Sequence, residues 1–452
     1  MNRGPCHDRY GAGVRGGAGR CGLLPVLVAV AVVAAACAPA DPTLGSVDSV
    51  DAVDHVDLVA DAPDAPDAPD APDAPDAADG TTTSAPSAPS APSAPSAAEV
   101  EIPPSTTVPP SPVRLVFTGD VLMHSPLWRR ALELGGGVHD FAPFFADVQP
   151  FVESADLAVC HLETPVAPPF EPSTSSPRYG VPAEVVDGLA AVGFDHCSTA
   201  SNHTFDRGVP GVEATIDRFR AAGMTQHGMA STPADIEPIL LEVGGLRIGH
   251  VSATYGYDEG DPPPDEPWRS NLIDVERLVA DARLARERGA DVVIVSLHWG
   301  SSNSQRASDA QRAIAGELAM SQAVDLVVGH HAHVVQPIER WGSMWVAYGL
   351  GNLIANMPLG SGPFTSAATG DGVLLDVVID PALVASGPPG TAVTALVARP
   401  VWVDQAAGWV VRDVTTARAD PALRAVVGDE LDASWERTAA VVGPFLPAAA
   451  DG

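Results

Sequence analysis

The stretch Asp291-Val292-Val293-Ile294-Val295-Ser296-Leu297 is continuous and rich in β-branched residues, and it runs into His298-Trp299-Gly300. A run of this kind predicts a strand that is buried on both faces of a sheet. Comparable runs occupy residues 113–117 and 325–328, and stretches with helical spacing, such as 274–288, lie between them. Strands that alternate with helices predict an α/β fold.

Residues of metal-binding types stand just past the ends of five predicted strands. Ligands of α/β sheets bind outside the carboxyl ends of the strands, and loops have no packing reason to carry His or Asp. Imidazole suits Zn, Fe and Mn, whereas carboxylate and carbonyl oxygens suit Mn and Mg. The candidate ligands are Asp120, Glu163, Asn202, His298, His331 and His333. A bridging carboxylate could hold two such ions roughly 3.5–4 Å apart, as in many hydrolases.

The composition argues against several classes of partner. The chain has 452 residues, 57 Asp+Glu and 25 basic residues, all of them Arg, and its formal net charge is −32. Such a surface repels the phosphate backbone of nucleic acid, and it disfavours anionic lipid bound through a basic patch. A polyanionic substrate would need local positive charge, such as bound metal ions. The sequence contains neither a Gly-x-Ser-x-Gly elbow nor a phosphate-binding P-loop.

Residues 1–36 have the features of a secretory signal peptide. Four Arg precede an apolar run from Leu23 to Ala36 that only Pro25 interrupts. The run ends Ala34-Ala35-Ala36-Cys37, which resembles a bacterial lipobox, where the Cys is acylated and becomes the mature N-terminus. We therefore predict an exported protein that a lipid on Cys37 anchors to the outer face of the cell membrane. The alternatives are an ordinary cleavage site and an uncleaved anchor.

Residues 38–112 predict a disordered spacer. Residues 61–78 repeat Asp-Ala-Pro, and residues 84–96 repeat Ser-Ala-Pro. Proline at every third position excludes helix and favours polyproline II, and the regular Asp charges repel one another. Ala, Pro, Asp and Ser alone cannot build a core. A low-complexity insertion with no spacing role is the alternative.

The folded part is predicted to begin at residue 113. We place a main domain at 113–382, and strands and a short helix near 429–442 within the segment 383–452 that completes or flanks it. Cys160 and Cys197 lie inside the domain. In an exported chain they either pair as a disulfide or serve as small buried residues.

Six short motifs follow one another at the predicted strand ends. They are Thr118-Gly119-Asp120, His161-Leu162-Glu163-Thr164-Pro165, Ala200-Ser201-Asn202-His203-Thr204-Phe205-Asp206, Leu297-His298-Trp299-Gly300, Gly329-His330-His331-Ala332-His333-Val334 and Tyr348-Gly349-Leu350-Gly351-Asn352. In order and spacing they resemble the CapA family of poly-γ-glutamate capsule biosynthesis proteins, within the calcineurin-like metallophosphatase superfamily. The resemblance covers residues 112–382. It implies a four-layer α/β/β/α sandwich with a dinuclear metal site at one edge, and a role in making, exporting or retaining an anionic polymer at the bacterial surface.

The resemblance also implies a role for each candidate residue. Asp120 and His333 match ligands of the first metal, His298 and His331 match ligands of the second, Glu163 stands where the superfamily has a bridging Asp, Asn202 matches an amide ligand, and His203 matches the histidine that assists the leaving group. His203 and Asp206 could instead cap a helix. His330 occupies a position that varies in the family, and we leave it out of the set.

The sequence departs from the family pattern near the first metal. The superfamily has Asp-x-His where this chain has Asp120-Val121-Leu122, so one ligand is missing unless His124 or water replaces it. His124 could equally close the turn after the strand. His161 replaces a usual Asn, and it is either an additional site residue or a polar residue at the rim.

Two further residues complete the candidate set. Arg178 could grip an anionic substrate through paired hydrogen bonds, or it could be a solvated surface residue. Asn352 is predicted to hydrogen-bond a ligand histidine from behind. The acidic stretch 258–261 is interpreted as a solvated loop.

Two functions fit these observations. The first is a hydrolase that uses two divalent ions, Mn, Fe or Zn, to attack a phosphoester or an amide-type bond in an anionic polymer or phosphoester substrate. The second is a non-catalytic, lipid-anchored scaffold that docks capsule synthase subunits or holds the polymer at the surface. The missing histidine and the long spacer favour the second function.

Overall fold

The computed structural model describes residues 111–359 and 366–448. The predicted signal peptide, Cys37 and nearly all of the predicted spacer lie outside the described residues. The strands are β1 (Val113–Val121), β2 (Leu157–Leu162), β3 (His196–Ser198), β4 (Thr225–His227), β5 (Ile239–Val243), β6 (Leu246–Thr254), β7 (Val292–His298), β8 (Leu326–His330), β9 (Ile338–Trp341), β10 (Met344–Ala347), β11 (Asn352–Ile354), β12 (Asp371–Ile379), β13 (Val393–Asp404) and β14 (Val410–Asp413).

The helices lie between and after these strands. They are α1 (Ser125–Leu134), α2 (Gln149–Val152), α3 (Glu184–Val192), α4 (Gly208–Ala221), α5 (Val275–Glu287), α6 (Asp309–Ser321), α7 (Val414–Ala419) and α8 (Pro421–Val442). Short 3₁₀ turns occur at Ala142–Phe145, Pro267–Arg269, Ala367–Gly370, Pro381–Leu383 and Gly443–Phe445. Among the described helices, none is both long enough and apolar enough to cross a membrane.

The strands form two sheets. The first has the order β14-β13-β12-β1-β2-β3-β4, with β11 also paired to β1, and the second has the order β5-β6-β7-β8-β10-β9. The strands β1 to β4 are parallel, as are β6, β7, β8 and β10. The carboxyl ends of the parallel strands therefore carry the loops in which the candidate ligands were predicted.

Alternation of side chains along the strands produces the three largest hydrophobic cores of the described residues. On β1, Val116 packs with residues of α1 to α4, whereas Leu115 and Phe117 pack against the second sheet. On β7, Ile294 joins the core between the sheets, and Val295 packs with residues of α5 and α6. Successive residues of a strand point to opposite faces, so each sheet is buried on both sides. The predicted four-layer α/β/β/α sandwich is confirmed.

The C-terminal segment joins the first sheet. β13 pairs antiparallel with β12 along almost its whole length, and β14 pairs with β13. The helix predicted at 429–442 is longer and begins at Pro421, with a kink at Val427. Arg437 of this helix binds the buried carboxylate of Asp371 at 2.6 and 2.8 Å, which attaches α8 to the start of β12.

Two details differ from or complete the sequence-based expectations. β1 extends through Asp120, and β8 ends at His330, so several site residues belong to the strands and do not lie beyond them. Cys160 and Cys197 form a disulfide between β2 and β3, which resolves the alternative that the sequence left open.

Candidate metal centre

Asp120 lies near the carboxyl end of β1, where the pairing of this strand passes from β12 to β11. β12 pairs with residues up to Thr118, and β11 then pairs with Asp120 through Asn352. The crossing is tight, since a Cβ on Gly119 would overlap the carbonyl oxygen of Gly351. Only glycine allows the two segments to approach so closely, which explains this glycine of the first motif.

The turn after β8 brings two more rings to Asp120. His331 and His333 both adopt left-handed backbone conformations, with φ of 85° and 55°. This region is uncommon for residues other than glycine and costs of order 1 kcal/mol each. The backbone N–H of His331 donates to Oδ2 of Asp120 at 3.1 Å, which fixes the turn against β1.

The Asp120 carboxylate is buried among histidines. Nδ1 of His330 lies 3.1 Å from one carboxylate oxygen, and Nδ1 of His333 lies 3.2 Å from the other. Burial opposes a charge on Asp120, but these hydrogen bonds outweigh it and hold its pKa well below the usual range. Asp120 is therefore an ionised carboxylate in the interior. Oδ1 of Asn352 lies 3.1 Å from the same Nδ1 of His333. This is the hydrogen bond that was expected between Asn352 and a ligand histidine.

Glu163 lies one residue beyond β2 and has no exposed surface. Neither of its carboxylate oxygens has a hydrogen-bond partner among the described residues. Oε1 instead faces Nε2 of His333 at 3.7 Å, Nε2 of His298 at 3.9 Å and Nε2 of His203 at 4.0 Å. Burial raises the pKa of Glu163 to about 7, and the nearby Asp120 charge adds to this effect. A buried carboxylate without a hydrogen bond is costly, and a cation bound beside it would offset that cost.

The remaining candidate ligands meet one another close to Glu163. Nε2 of His298 lies 2.8 Å from Oδ1 of Asn202 and 3.2 Å from Nδ1 of His331. The Nδ2 group of Asn202 donates to Asp258 at 2.8 Å, so its carbonyl oxygen is turned toward the histidines. The stretch that contains Asp258 is therefore more than a solvated loop.

The side chains fit divalent ions. Within the described part of the chain, the ligand atoms of Asp120, Glu163 and His333 lie within 4.8 Å of one another, and so do those of Asp120, His161 and His330. Two carboxylates, an amide oxygen and several imidazoles are ligands that Mn, Fe and Zn accept. The oxygens of Glu163, which have no hydrogen-bond partner among the described residues, are the clearest sign that the cluster suits a cation.

His203 is paired with a carboxylate at the edge of this cluster. Its Nδ1 lies 2.9 Å from Oδ2 of Asp206, and the backbone N–H of Tyr179 donates to the same oxygen at 2.7 Å. Burial disfavours a charged His203, but Asp206 and then Glu163 outweigh it and raise its pKa. α4 begins only at Gly208, with Arg207 as the capping position, so Asp206 orients His203 and does not cap the helix.

The cluster opens into a cavity of about 790 Å³. Tyr179, Tyr255 and Asp258 line it, together with His331 and His333. The Tyr255 ring lies 4.7 Å from that of His331.

Two further candidate residues make their polar contacts outside the ligand cluster. Arg178 does not line the cavity; its side chain is 63% exposed and pairs with Glu259 at 3.2 Å. His124 lies 3.2 Å from the carbonyl oxygen of Leu122 and 3.0 Å from the hydroxyl of Tyr179, and it belongs to neither of the described three-residue groups. Its nitrogens make contacts in the turn after β1, which is the alternative that the sequence offered, and its ring also lines the cavity.

Sequence reasoning missed one close partner of Asp120 and two supporting residues. His330 contacts Asp120 directly, although the candidate set omits it because its position varies in the family. The pair of adjacent histidines, His330 and His331, is the sequence feature that could have indicated it. Asp258 and the backbone of Tyr179 act across long sequence separations, and no local pattern indicates them.

The family described as "Bacterial capsule synthesis protein PGA_cap" matches residues 114–357, more than half of the chain. The chain belongs to this family. The CapA resemblance predicted from the six motifs is thus confirmed. A "Capsule biosynthesis protein CapA" of Bacillus anthracis is 26% identical over 46% of this chain and 53% of the relative. A "PGA biosynthesis protein CapA" of Bacillus subtilis is 26% identical over 53% of this chain and 62% of the relative.

Other similar proteins include a mycobacterial relative and two solved structures. A "Probable polyglutamine synthesis accessory protein" of Mycobacterium tuberculosis is 29% identical over 44% of this chain and 56% of its own length. The chain thus spans about half to three fifths of these relatives. A solved phosphatase of Mycoplasma pneumoniae shares 14% identity with a TM-score of 0.40, covering 71% of this chain and 99% of its own. The calcineurin-like phosphoesterase YfkN of Bacillus subtilis shares 12% identity with a TM-score of 0.37, covering 72% and 98%.

Proposed function

We propose that this capsule-synthesis family member is a metal-dependent hydrolase. It would act in the synthesis, export or retention of poly-γ-glutamate or a related anionic capsular polymer, alongside capsule synthase subunits. The observation that carries the proposal is the Glu163 carboxylate, buried, without a hydrogen-bond partner among the described residues, and facing three histidine nitrogens at 3.7–4.0 Å.

Asp120, Glu163 and His333 would hold one divalent ion, and Asn202, His298 and His331 would hold a second beside it. When bound, such ions would polarise a phosphoryl or acyl oxygen of the substrate and lower the pKa of bound water, so they would activate both the electrophile and the nucleophile. They also bring positive charge that an anionic substrate requires in an acidic protein.

The protein's own groups would orient the ligands and move a proton. His203 points Nε2 at the cluster while Asp206 holds its Nδ1, an arrangement that keeps a proton available for a leaving group. Asp258 fixes the amide of Asn202, so that its carbonyl oxygen and not its NH₂ group would be offered to the ion.

The proposal is tested by metal content and turnover together. The protein is stripped with a chelator, dialysed against Mn, Fe or Zn, and assayed on generic phosphodiester and γ-glutamyl substrates. Glu163→Gln keeps the size of the side chain and removes its charge, and it should lower metal affinity at least about tenfold. The exposed Glu317→Gln is the matched control. Equal metal uptake by the two variants, or a loaded wild type without turnover, would contradict the proposal.

A second function is favoured by one observation. His124 contacts Leu122 and Tyr179 and belongs to neither described three-residue group, so the first motif itself supplies no histidine to those groups. If this loss prevents turnover, the domain would serve as a scaffold. Polymer production that survives Asp120→Ala and His331→Ala but stops when residues 38–98 are deleted would support the scaffold over the hydrolase.

We also propose that the protein is exported and anchored by lipid at Cys37, outside the described residues. The basic and apolar N-terminal stretch and the small residues before Cys37 support this. Cells grown with a labelled fatty acid should label the wild type and not Cys37→Ala. Equal labelling of both would contradict the anchor.

A further inference from the structure

His161 is a buried histidine whose two ring nitrogens are both engaged. Nδ1 lies 2.8 Å from Oγ of Ser198, and Nε2 lies 3.0 Å from Nδ1 of His298. His161 and Ser198 are direct register partners on β2 and β3, so strand pairing fixes the beginning of this chain of hydrogen bonds. The side chains of His161, Ser198 and His298 are each 1% exposed or less, so water has little access to these hydrogen bonds.

The geometry argues against His161 as a direct metal ligand. Its ring stacks on that of His330 with 3.9 Å between centroids and 12° between planes. An imidazole binds a metal in its own plane, along the lone pair of one nitrogen. Two parallel stacked rings direct these lone pairs side by side, so they do not converge on one ion although both lie close to Asp120.

The chain of hydrogen bonds has a direction when His298 binds metal. Its Nε2 faces Oδ1 of Asn202 and Nδ1 of His331. An ion held by these groups would take the lone pair of Nε2, so that nitrogen would be unprotonated and Nδ1 would carry the hydrogen. Nδ1–H then donates to Nε2 of His161, and Nδ1–H of His161 donates to Ser198. The Ser198 hydroxyl can donate in turn to the carbonyl oxygen of Cys160 at 3.4 Å. Each donor in the relay has an acceptor.

We propose that His161 and Ser198 form a relay that sets the metal-binding tautomer of His298. His161 is a positioning residue in this scheme, and the ligand at His298 is a borderline divalent cation such as zinc. The inference rests on the proposed metal centre. It assigns His161, which replaces a usual Asn of the family, to the orientation of a ligand and not to coordination.

The test measures zinc affinity of the full-length, chelator-stripped protein by calorimetry. Ser198→Ala leaves the imidazole of His161 in place and removes only its acceptor, and it should weaken zinc binding about tenfold, as other changes behind metal ligands do. His161→Leu should weaken it by about tenfold to a hundredfold. Ser198→Thr keeps the hydroxyl and should restore most of the affinity.

Ser296→Ala is the matched control. Ser296 is equally buried and contacts His250 Nε2 at 2.9 Å, so its loss removes a similar hydrogen bond that does not reach His298. Its zinc affinity should equal that of the wild type. Nitrogen-15 NMR of the zinc-loaded protein should show hydrogen on Nδ1 of both His298 and His161.

The outcomes separate the relay from the metal centre. A wild type that binds no zinc overturns both. A wild type that binds zinc while Ser198→Ala and His161→Leu bind it equally well overturns the relay and leaves the metal centre standing. NMR shifts that place zinc on a nitrogen of His161 would overturn the relay in favour of direct ligation.

Discussion

Acid should destabilise this protein through a histidine outside the proposed metal centre. His227 is buried; its Nδ1 accepts the backbone N–H of Ser252 at 2.9 Å, and its Nε2 lies 3.2 Å from the carbonyl oxygen of Glu237. A proton on Nδ1 would break the first of these bonds. Burial accordingly lowers the pKa of His227 from 6.5 to about 4.

The sign and size of the effect follow from linkage. Because the folded pKa lies below the unfolded one, the unfolded chain binds more protons between these values, and stability falls as pH drops below 6.5. Between pH 8 and pH 5 this single group removes about 2 kcal/mol of unfolding free energy. This loss of unfolding free energy is set mainly by the unfolded pKa of 6.5, because folded His227 stays neutral at pH 5.

The assay is urea unfolding at pH 8 and pH 5 with a chelator present. His227→Asn retains an acceptor for Ser252 and has no titrating group, so its stability should change by about 2 kcal/mol less than that of the wild type between the two pH values. The difference in unfolding free energy between wild type and His227→Asn at pH 8, where His227 is neutral in both states, measures the packing cost of the substitution alone. Equal pH dependence of the two proteins would refute the assignment of a neutral, buried His227.

Three further perturbations test the fold around the site. Gly329→Ala should cost about 3 kcal/mol or more in thermal unfolding, because a Cβ there would overlap the neighbouring backbone. Arg437→Ala leaves the buried carboxylate of Asp371 unpaired and should cost about 3 kcal/mol in urea unfolding. Replacing Cys160 and Cys197 together by Ala should cost about 4 kcal/mol, since the disulfide closes a loop of 37 residues.

A specific stability measurement would contradict each of these three predictions. A Cβ added at Gly342 would meet no atom within 4 Å, although the backbone there has a positive φ, so Gly342→Ala reports backbone strain without overlap. A Gly329→Ala protein no less stable than Gly342→Ala would show that the overlap at Gly329 is relieved. An Arg437→Ala protein as stable as the wild type would show that Asp371 finds another partner. A reduced wild type as stable as the oxidised form would show that the disulfide adds nothing.

The layered fold was predictable because its signals are local. The apolar runs of β1, β7 and β8 are continuous, so each strand has apolar side chains on both faces. Both faces are buried only in a sheet that is covered on each side by helices or by another sheet. The strand ends were less predictable. β1 extends to Val121 because β11, which is distant in the sequence, pairs with Asp120 through Asn352, and nothing near Asp120 in the sequence encodes that partner.

The ligand set was predictable as an ordered list of residue types, whereas its supports were not. Asp258 binds Asn202 across 56 residues, and His161 binds His298 across 137. A local pattern cannot distinguish such partners from residues of a solvated loop or a rim. The supports become visible only when the parallel strands place their carboxyl ends at one edge.

The backbone explains why this site needs whole motifs and not isolated ligands. Asp120 meets the turn after β8 through the N–H of His331, and that contact requires His331 and His333 to adopt φ values that most residues avoid. Gly119 must lack a Cβ for β11 to approach, and Gly329 must lack one for β8 to pass the carbonyl oxygen of Tyr348. Glu163 and His298 enter the cluster from ordinary strand ends, whereas Asp120, His331 and His333 meet only because glycine and left-handed histidine positions shape the two turns.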